Sequence, residues 1–457
     1  MGRITLQQAA QWCGGKIDPK YKDITFLGAN NDTRKLQKGQ LFIALQGARD
    51  GHDFIPTALE KGAAAVLCTH CDGDYPAIVV EDTRIALGDI ARNERQRLGM
   101  KVVAITGSVG KSTTKEMVAT VLGSTYRVGK TPVNHNNDIG MPMAVLSMPE
   151  DTQIAVLEMG MNHFGEIAYL SKIARPDVAV IVNIGTMHIE HLGSMEGILQ
   201  AKLEILEGIS PDGSVLLNGD DSLLWNLHTS LPNVTYFGEQ NTQSTVLAYD
   251  AVQVEERLTF MVKCGQEQFP VRLPLEGHHY ISDALAAVSV GLAFSVKPEK
   301  IAQSLAAFQN MEGRQEIFAK DGYTIIKDCY NAGPESMAAA LEVLSNRPGR
   351  RIAVLGEMLE LGLCAPAEHY KIGRVAAEKA DIVLAYGPNS ERVLKGAVTG
   401  GMSDARVRAF EDREKLVAEL KRLAKPGDVL LFKGSRGMKM ELILDAFLHK
   451  EIIGGEP

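Results

Sequence analysis

The 457-residue chain is short of the features that mark membrane, secreted or nucleic-acid-binding proteins. No apolar run approaches the roughly 18 residues that a spanning helix needs. Residues 1–12 show no basic segment ahead of an apolar one, so no secretory signal is expected and the cytoplasm is the expected location. Cysteine is sparse, with six at positions 13, 68, 71, 264, 329 and 364. Only Cys68 and Cys71 are close in sequence, and no second pair follows to complete a metal site, so ordinary reduced thiols are expected. Lys and Arg number 48 against 56 for Asp and Glu, a net charge of −8 with no basic run. A nucleic-acid binder needs a cationic stripe, and this chain offers none. Repeats of fixed period and low-complexity segments are also absent from the sequence.

What the chain has is alternation. Short apolar runs such as Ala63–Leu67, Val102–Ile105, Ile154–Leu157 and Val178–Val182 alternate with helix-like stretches, and Ile352–Leu355, Ile382–Ala385 and Val429–Phe432 repeat the pattern. Strands alternating with helices predict an α/β fold with parallel sheets and crossover helices. At about 150 residues per domain the length suggests three domains. A polar helix-like stretch, Ala91–Leu98, ahead of the strand at Val102 and a new strand–helix run after Gly313-Arg314 place them at residues 1–98, 99–312 and 313–457. Between the last two apolar runs, Glu411–Lys425 reads as a helix with Leu416, Leu420 and Leu423 on one face and a Lys415–Glu419 pair on another.

The strongest local signal is Thr106-Gly107-Ser108-Val109-Gly110-Lys111-Ser112-Thr113, which follows an apolar strand and opens a helix. Such a turn collects backbone N–H groups and a positive dipole end around phosphate oxygens. Lys111 suits the β- and γ-phosphates of ATP, and the Ser112 hydroxyl suits Mg²⁺. By itself the loop leaves kinase, motor and ligase open. Glu158 ends a strand near the loop, where a second Mg²⁺ ligand or a plain strand-end acid would sit. His188 follows another strand; His188 and His191 lack the spacing of a zinc helix. Lys202 reads as an ordinary helix lysine.

The short loop form resembles the ATP loop of the Mur ligase family and of its relative folylpolyglutamate synthetase. The run from Asn183-Ile184-Gly185-Thr186-Met187-His188 to Ala201-Lys202 resembles the Mur ligase central domain. That resemblance implies that Glu158 and His188 hold Mg²⁺ with Ser112. It also implies that CO₂ carbamylates Lys202 to give a further anionic ligand. Asp32-Thr33-Arg34 and Asp50-Gly51-His52-Asp53-Phe54 resemble the family's UDP-sugar-binding N-terminal domain, which argues against the folate relative. Asn134, Asn136 and Asn137 lie in a stretch that resembles its asparagine-rich substrate loop. Asp328-Cys329-Tyr330-Asn331 through Ser336, Val354–Gly362 and Lys433-Gly434-Ser435-Arg436 resemble the member that adds D-alanyl-D-alanine. The Asp-Asn-Pro-Arg string of the diaminopimelate-adding relative is absent.

The resemblance therefore implies a central P-loop ATPase-like parallel sheet between a UDP-muramoyl-binding domain and a C-terminal Rossmann-like domain. The implied activity joins D-Ala-D-Ala to UDP-N-acetylmuramoyl-tripeptide at the expense of ATP with Mg²⁺, in a monomer. Arg314 and Asp328 are expected to reach ATP from the third block, and Tyr330, Asn331, Ser336, Lys433, Ser435 and Arg436 to line the substrate side. The family's adenine-side asparagines are replaced here by Tyr280 and Asp283, next to His279. The expectation is that Tyr280 stacks on the base and that Asp283 accepts from its amino group.

Overall fold

The computed structural model describes residues 4–231 and 233–448; residues 449–457 of the expected third block lie outside the described residues. Three parallel or mainly parallel sheets follow one another. The first pairs Ala29–Asn30, Leu41–Ile43, Ala65–Cys68 and Ala77–Val79, all parallel. Cys68 and Cys71 are free; burial pushes the Cys68 thiol up to about 12, and the Cys71 thiol donates to Gly73 O.

The nine-stranded second sheet centres on Lys101–Thr106, which lies between Ile154–Glu158 and Val178–Ile181, both parallel to it. These strands are apolar throughout because both faces are covered by helices. Ile105 sits opposite Glu158, and Thr106 opposite Ile181, so the three strands end at one level on one edge. The sheet is not wholly parallel, as the sequence pattern had suggested. Val246–Val254, Arg257–Cys264 and Glu267–Leu273 add an antiparallel meander at its far side. Its alternation is legible in hindsight: Leu258, Phe260 and Val262 point inward between exposed or half-buried neighbours.

The third sheet has Val429–Lys433 at its centre between Tyr323–Asp328 and Arg351–Leu355, with Glu316–Lys320 antiparallel at one edge. The helix expected after it spans Arg413–Leu423 and buries Leu416 and Leu420. Its Glu419 pairs not with Lys415 but with Arg408 and Arg422, because the neighbouring strand presents Arg408 at 2.7 Å.

Core packing cuts across the sequence blocks. The helix Thr83–Leu98 belongs to the first block, yet its Leu87, Ile90 and Ala91 share one apolar cluster with Leu146, Leu170 and Ile173 of the second. Gly88 allows this close approach: a Cβ there would lie 2.3 Å from the Tyr169 hydroxyl and 2.9 Å from Ile173 Cδ1. On the other face of the second sheet, helix Tyr280–Ala293 packs on helix Lys111–Gly123, with Gly291 placed where a Cβ would meet Val121 at 2.8 Å. Leu285 is fully buried in that interface. Leu285→Ala should therefore cost about 2–5 kcal/mol, read as a lower urea midpoint; an unchanged midpoint would contradict this packing.

Candidate active site

The level edge of the second sheet supplies the site. Thr106 leads into Gly107–Gly110, and Gly110, at φ +82°, turns the chain into helix Lys111–Gly123. A Cβ on Gly107 would press on Val182 at 3.0 Å, and one on Gly110 would strike Asp283 Oδ1 at 2.4 Å, so both positions are closed to larger residues. Asn183 splints the loop. Its Oδ1 accepts from the N–H groups of Ser108 at 3.0 Å and Val109 at 2.9 Å, and its amide donates back to Val109 O at 3.0 Å. Ser108 Oγ and Gly185 are bonded in both directions, at 2.8 and 3.0 Å. Lys111 folds over the loop, donating to Gly107 O at 2.8 Å and Ser108 O at 3.0 Å. Desolvation lowers its pKa, and Glu158 opposes that shift.

Glu158 is buried at the end of its strand. Asn136 donates to Oε1 at 3.0 Å, while Oε2 is a buried acceptor with no hydrogen bond. The nearest cation to it is Lys115 Nζ at 3.7 Å, itself fully buried, donating to Thr131 O at 2.8 Å and facing Glu116 at 3.4 Å. An orphaned carboxylate oxygen beside a phosphate loop fits a divalent cation. His188 stands at φ +67°, with Nδ1 2.7 Å from Glu360 Oε2 but not aligned for a hydrogen bond. Lys202 is 1% exposed, and burial, together with the charge of Lys111, holds its pKa well below that of a free lysine. A lowered pKa favours the unprotonated amine, the form that reacts with CO₂, and no carboxylate is paired with Lys202 among the described residues.

The third sheet closes the cleft from the opposite side. Arg314 donates to Ser112 Oγ at 3.0 Å and stacks 4.2 Å over the Tyr330 ring. Tyr330 OH donates to Asn134 Oδ1, and Lys433 pairs with Asp328 at 2.5 Å. Glu335 accepts from Thr186 N at 2.9 Å and Thr186 Oγ1 at 3.2 Å. The result is one cleft of about 940 Å³ lined by all three sheet units.

Most of the residues expected at the site meet there. Ser108 to Thr113, Asn134, Asn136, Asn137, Glu158, His188, His279, Tyr280, Asp283, Arg314, Asp328, Tyr330, Asn331, Ser336 and Lys433 all line the cleft. Several others do not, Gly107 and the buried Lys202 among them. Asp32 is occupied by the Arg34 guanidinium and backbone at 2.9–3.0 Å, and Thr33 O accepts from Lys61. Asp50 and His52 form an internal brace, with His52 Nε2 accepting from Thr69 N at 3.0 Å, and Gly51 packs against the Leu45 backbone. The first block reaches the cleft instead through Asp82, Arg84 and Ile85. Ser435 is buried between Leu359 N and Ala332 O, and Arg436 pairs with Glu441. Lys115 and Asn310 were not singled out in the sequence, and Asn183, Glu335 and Glu360 stood in recognised motifs without a role of their own. Lys115 carried one available signal, lying four residues past Lys111 on the same helix face.

The two unusual residues near the adenine side are both engaged within the protein. Tyr280 OH accepts from Asn310 Nδ2 at 3.0 Å, and that amide also donates to Arg314 O. Asp283 Oδ1 accepts from Thr114 Oγ1 at 2.7 Å. Burial pushes its carboxyl up to about 7, against the lowering effects of Thr114 and Arg314. The folded chain therefore holds a proton that the unfolded chain loses near 3.8, and stability falls as pH rises through that window. Asp283→Asn should remove the fall: its stability advantage over the parent should grow from about pH 4 to pH 8 in thermal unfolding. An advantage independent of pH would show that Asp283 is ionised throughout.

Family models for the Mur ligase family match three stretches: the catalytic domain model at residues 23–95, the middle domain at 105–291 and the glutamate ligase domain at 313–436. The UDP-N-acetylmuramoyl-tripeptide–D-alanyl-D-alanine ligase of Bacillus subtilis is 42% identical, over 99% of this chain and 100% of the relative. Among solved structures, MurF from Acinetobacter baumannii superposes with a TM-score of 0.92 at 33% identity, covering 98% and 100% of the two chains. MurF ligase from Thermotoga maritima in complex with ADP gives 0.82 at 30% identity, covering 93% and 97%. A phosphate loop, an orphaned acid and a third sheet reaching across to both thus sit in a chain that matches these relatives along its full length, and the chain belongs to the Mur ligase family.

Proposed function

We propose that this chain joins D-alanyl-D-alanine to UDP-N-acetylmuramoyl-tripeptide, converting ATP to ADP and phosphate and yielding UDP-N-acetylmuramoyl-pentapeptide for peptidoglycan synthesis. The observation that carries the reading is the single cleft in which Lys111 and Glu158 of the second sheet face Arg314 and Asp328 of the third, in a chain 42% identical end to end to the Bacillus subtilis ligase. We further assign the cytoplasm as its location, the monomer as its working form, and residues 1–98, 99–312 and 313–457 as its sugar-nucleotide, ATP and dipeptide-side domains.

Amide formation from a carboxylate and an amine is uphill in water, so the carboxylate must first be activated. The tripeptide's terminal carboxylate oxygen attacks the γ-phosphorus of ATP, and the bond from that phosphorus to the β–γ bridging oxygen breaks, giving an acyl phosphate and ADP. The dipeptide amine then attacks the acyl carbon and loses a proton. The tetrahedral adduct collapses by expelling phosphate.

Each residue answers to a charge in this sequence. With the Ser108 and Val109 amides held by Asn183, the N–H groups at the start of helix Lys111–Gly123 are left for the phosphates, and Lys111 turns from its own loop carbonyls toward the transferring phosphoryl. Arg314, now on Ser112, approaches the same oxygens from the third block. Ser112, Glu158, His188 and carbamylated Lys202 would hold Mg²⁺, which when bound offsets charge on the phosphoryl oxygens. The unprotonated Lys202 amine adds to the carbon of CO₂ and releases one proton, leaving a carbamate anion; an ammonium would repel the metal.

Phosphate release from ATP should require both UDP-muramoyl-tripeptide and D-Ala-D-Ala, with a pentapeptide product by mass; release indifferent to the dipeptide would defeat the ligase reading. Lys111→Ala should lower kcat about 10²–10³-fold while the fold, read by circular dichroism, stays intact. For Lys202, ¹³C-bicarbonate should give a carbamate resonance in the parent and none in Lys202→Ala. Acidification through the lowered lysine pKa should erase that resonance, because protonation removes the reactive amine. Persistence of the signal in Lys202→Ala would assign it elsewhere.

A further inference from the structure

His188 is one of the groups proposed to hold Mg²⁺, and any role for its neighbour rests on that reading. The neighbour comes from a different sheet. Glu360 lies in the loop after strand Arg351–Leu355, and its Oε2 stands 2.7 Å from His188 Nδ1. The Glu360 side chain is 45% exposed, and an ion pair that open adds little to stability. The backbone is nevertheless arranged for it. Glu360 at φ +64° and His188 at φ +67° both occupy the left-handed region, which neither side chain favours.

The loop that delivers Glu360 is pinned from behind. Met358 N–H donates to buried His369 Nε2 at 3.0 Å, and Leu359 N–H donates to Ser435 Oγ at 2.9 Å. Ahead of Glu360, Gly362 at φ +49° lets the loop close on helix Ile189–Leu192, where a Cβ would come within 2.9 Å of Glu190 Cβ. Buried supports on one side and a glycine contact on the other leave Glu360 aimed at one imidazole nitrogen. A carboxylate 2.7 Å from Nδ1 favours the proton on that nitrogen even without the alignment of a hydrogen bond, and the lone pair then rests on Nε2, the tautomer a metal requires.

We propose that Glu360 is a positioning residue that orients His188 for the metal across the boundary between the second and third sheets. The second sheet then carries a complete ligand set only while the third is docked. Docking itself is served separately by Glu335 on Thr186 and Arg314 on Ser112, so Glu360 is not needed merely to hold the sheets together.

The test is Mn²⁺ titrated into the full-length chain, with the free ion read by electron paramagnetic resonance. Glu360→Ala should weaken Mn²⁺ binding about 10–100-fold, Glu360→Gln, which keeps an acceptor oxygen, should weaken it less, and the His188→Ala/Glu360→Ala double variant should bind no more weakly than His188→Ala alone. Parent-like affinity in Glu360→Ala, with His188→Ala impaired, would overturn the positioning role and leave the ligand reading intact. A parent-like His188→Ala would overturn both. An equal loss in Glu335→Ala would reduce Glu360 to one docking contact among several and so overturn the proposal too.

Discussion

Everything at the site depends on three strands ending at one level. Parallel pairing sets Ile105 beside Glu158 and Thr106 beside Ile181, so the phosphate loop, the buried acid and Asn183 leave the sheet side by side. Shifting one strand by a single residue would turn Glu158 to the opposite face of the sheet. Asn183 would then lose its grip on the Ser108 and Val109 amides. The apolar strands that the sequence displays so plainly thus position the polar groups that follow them.

The site also carries an unusual charge arrangement. Lys115 and Lys202 are both almost fully buried, but their surroundings differ. Lys115 has a carbonyl acceptor and two carboxylates within 4 Å, the pairing a buried ammonium requires. Lys202 has neither among the described residues, and burial, with the charge of Lys111, lowers its pKa. Neighbours that are far apart in sequence thus give two buried lysines of one region different surroundings.

That contrast marks how far the sequence could be read. The strands, the phosphate loop and the strand-end position of Glu158 are local patterns, and they emerged with boundaries shifted by a residue or two. The antiparallel meander was missed because its strands are half exposed and lack continuous apolar runs. Site residues were legible where a motif fixed them in one segment. Glu335 and Glu360 meet Thr186 and His188 only after the third sheet has docked, and no spacing within either segment encodes that meeting. Asp32 and His52 failed to reach the cleft for a related reason: each found a partner nearby, in Arg34 and Thr69, and turned toward it.

The apolar cluster shared between helix Thr83–Leu98 and the helices at 140–146 and 166–174 has a consequence for how such chains can be recombined. A segment exchanged between relatives at residue 98 would divide a single core and pair faces drawn from two chains, with Gly88 against Tyr169 the tightest point. Near residue 313 the junction crosses hydrogen bonds and ion pairs, such as Arg314 with Ser112 and Arg347 with Glu276, beside the packing of Ile189 on the third sheet's core. Polar contacts of that kind tolerate a new partner with less loss than an interdigitated core. An exchange near residue 313 thus divides less apolar core than one at residue 98.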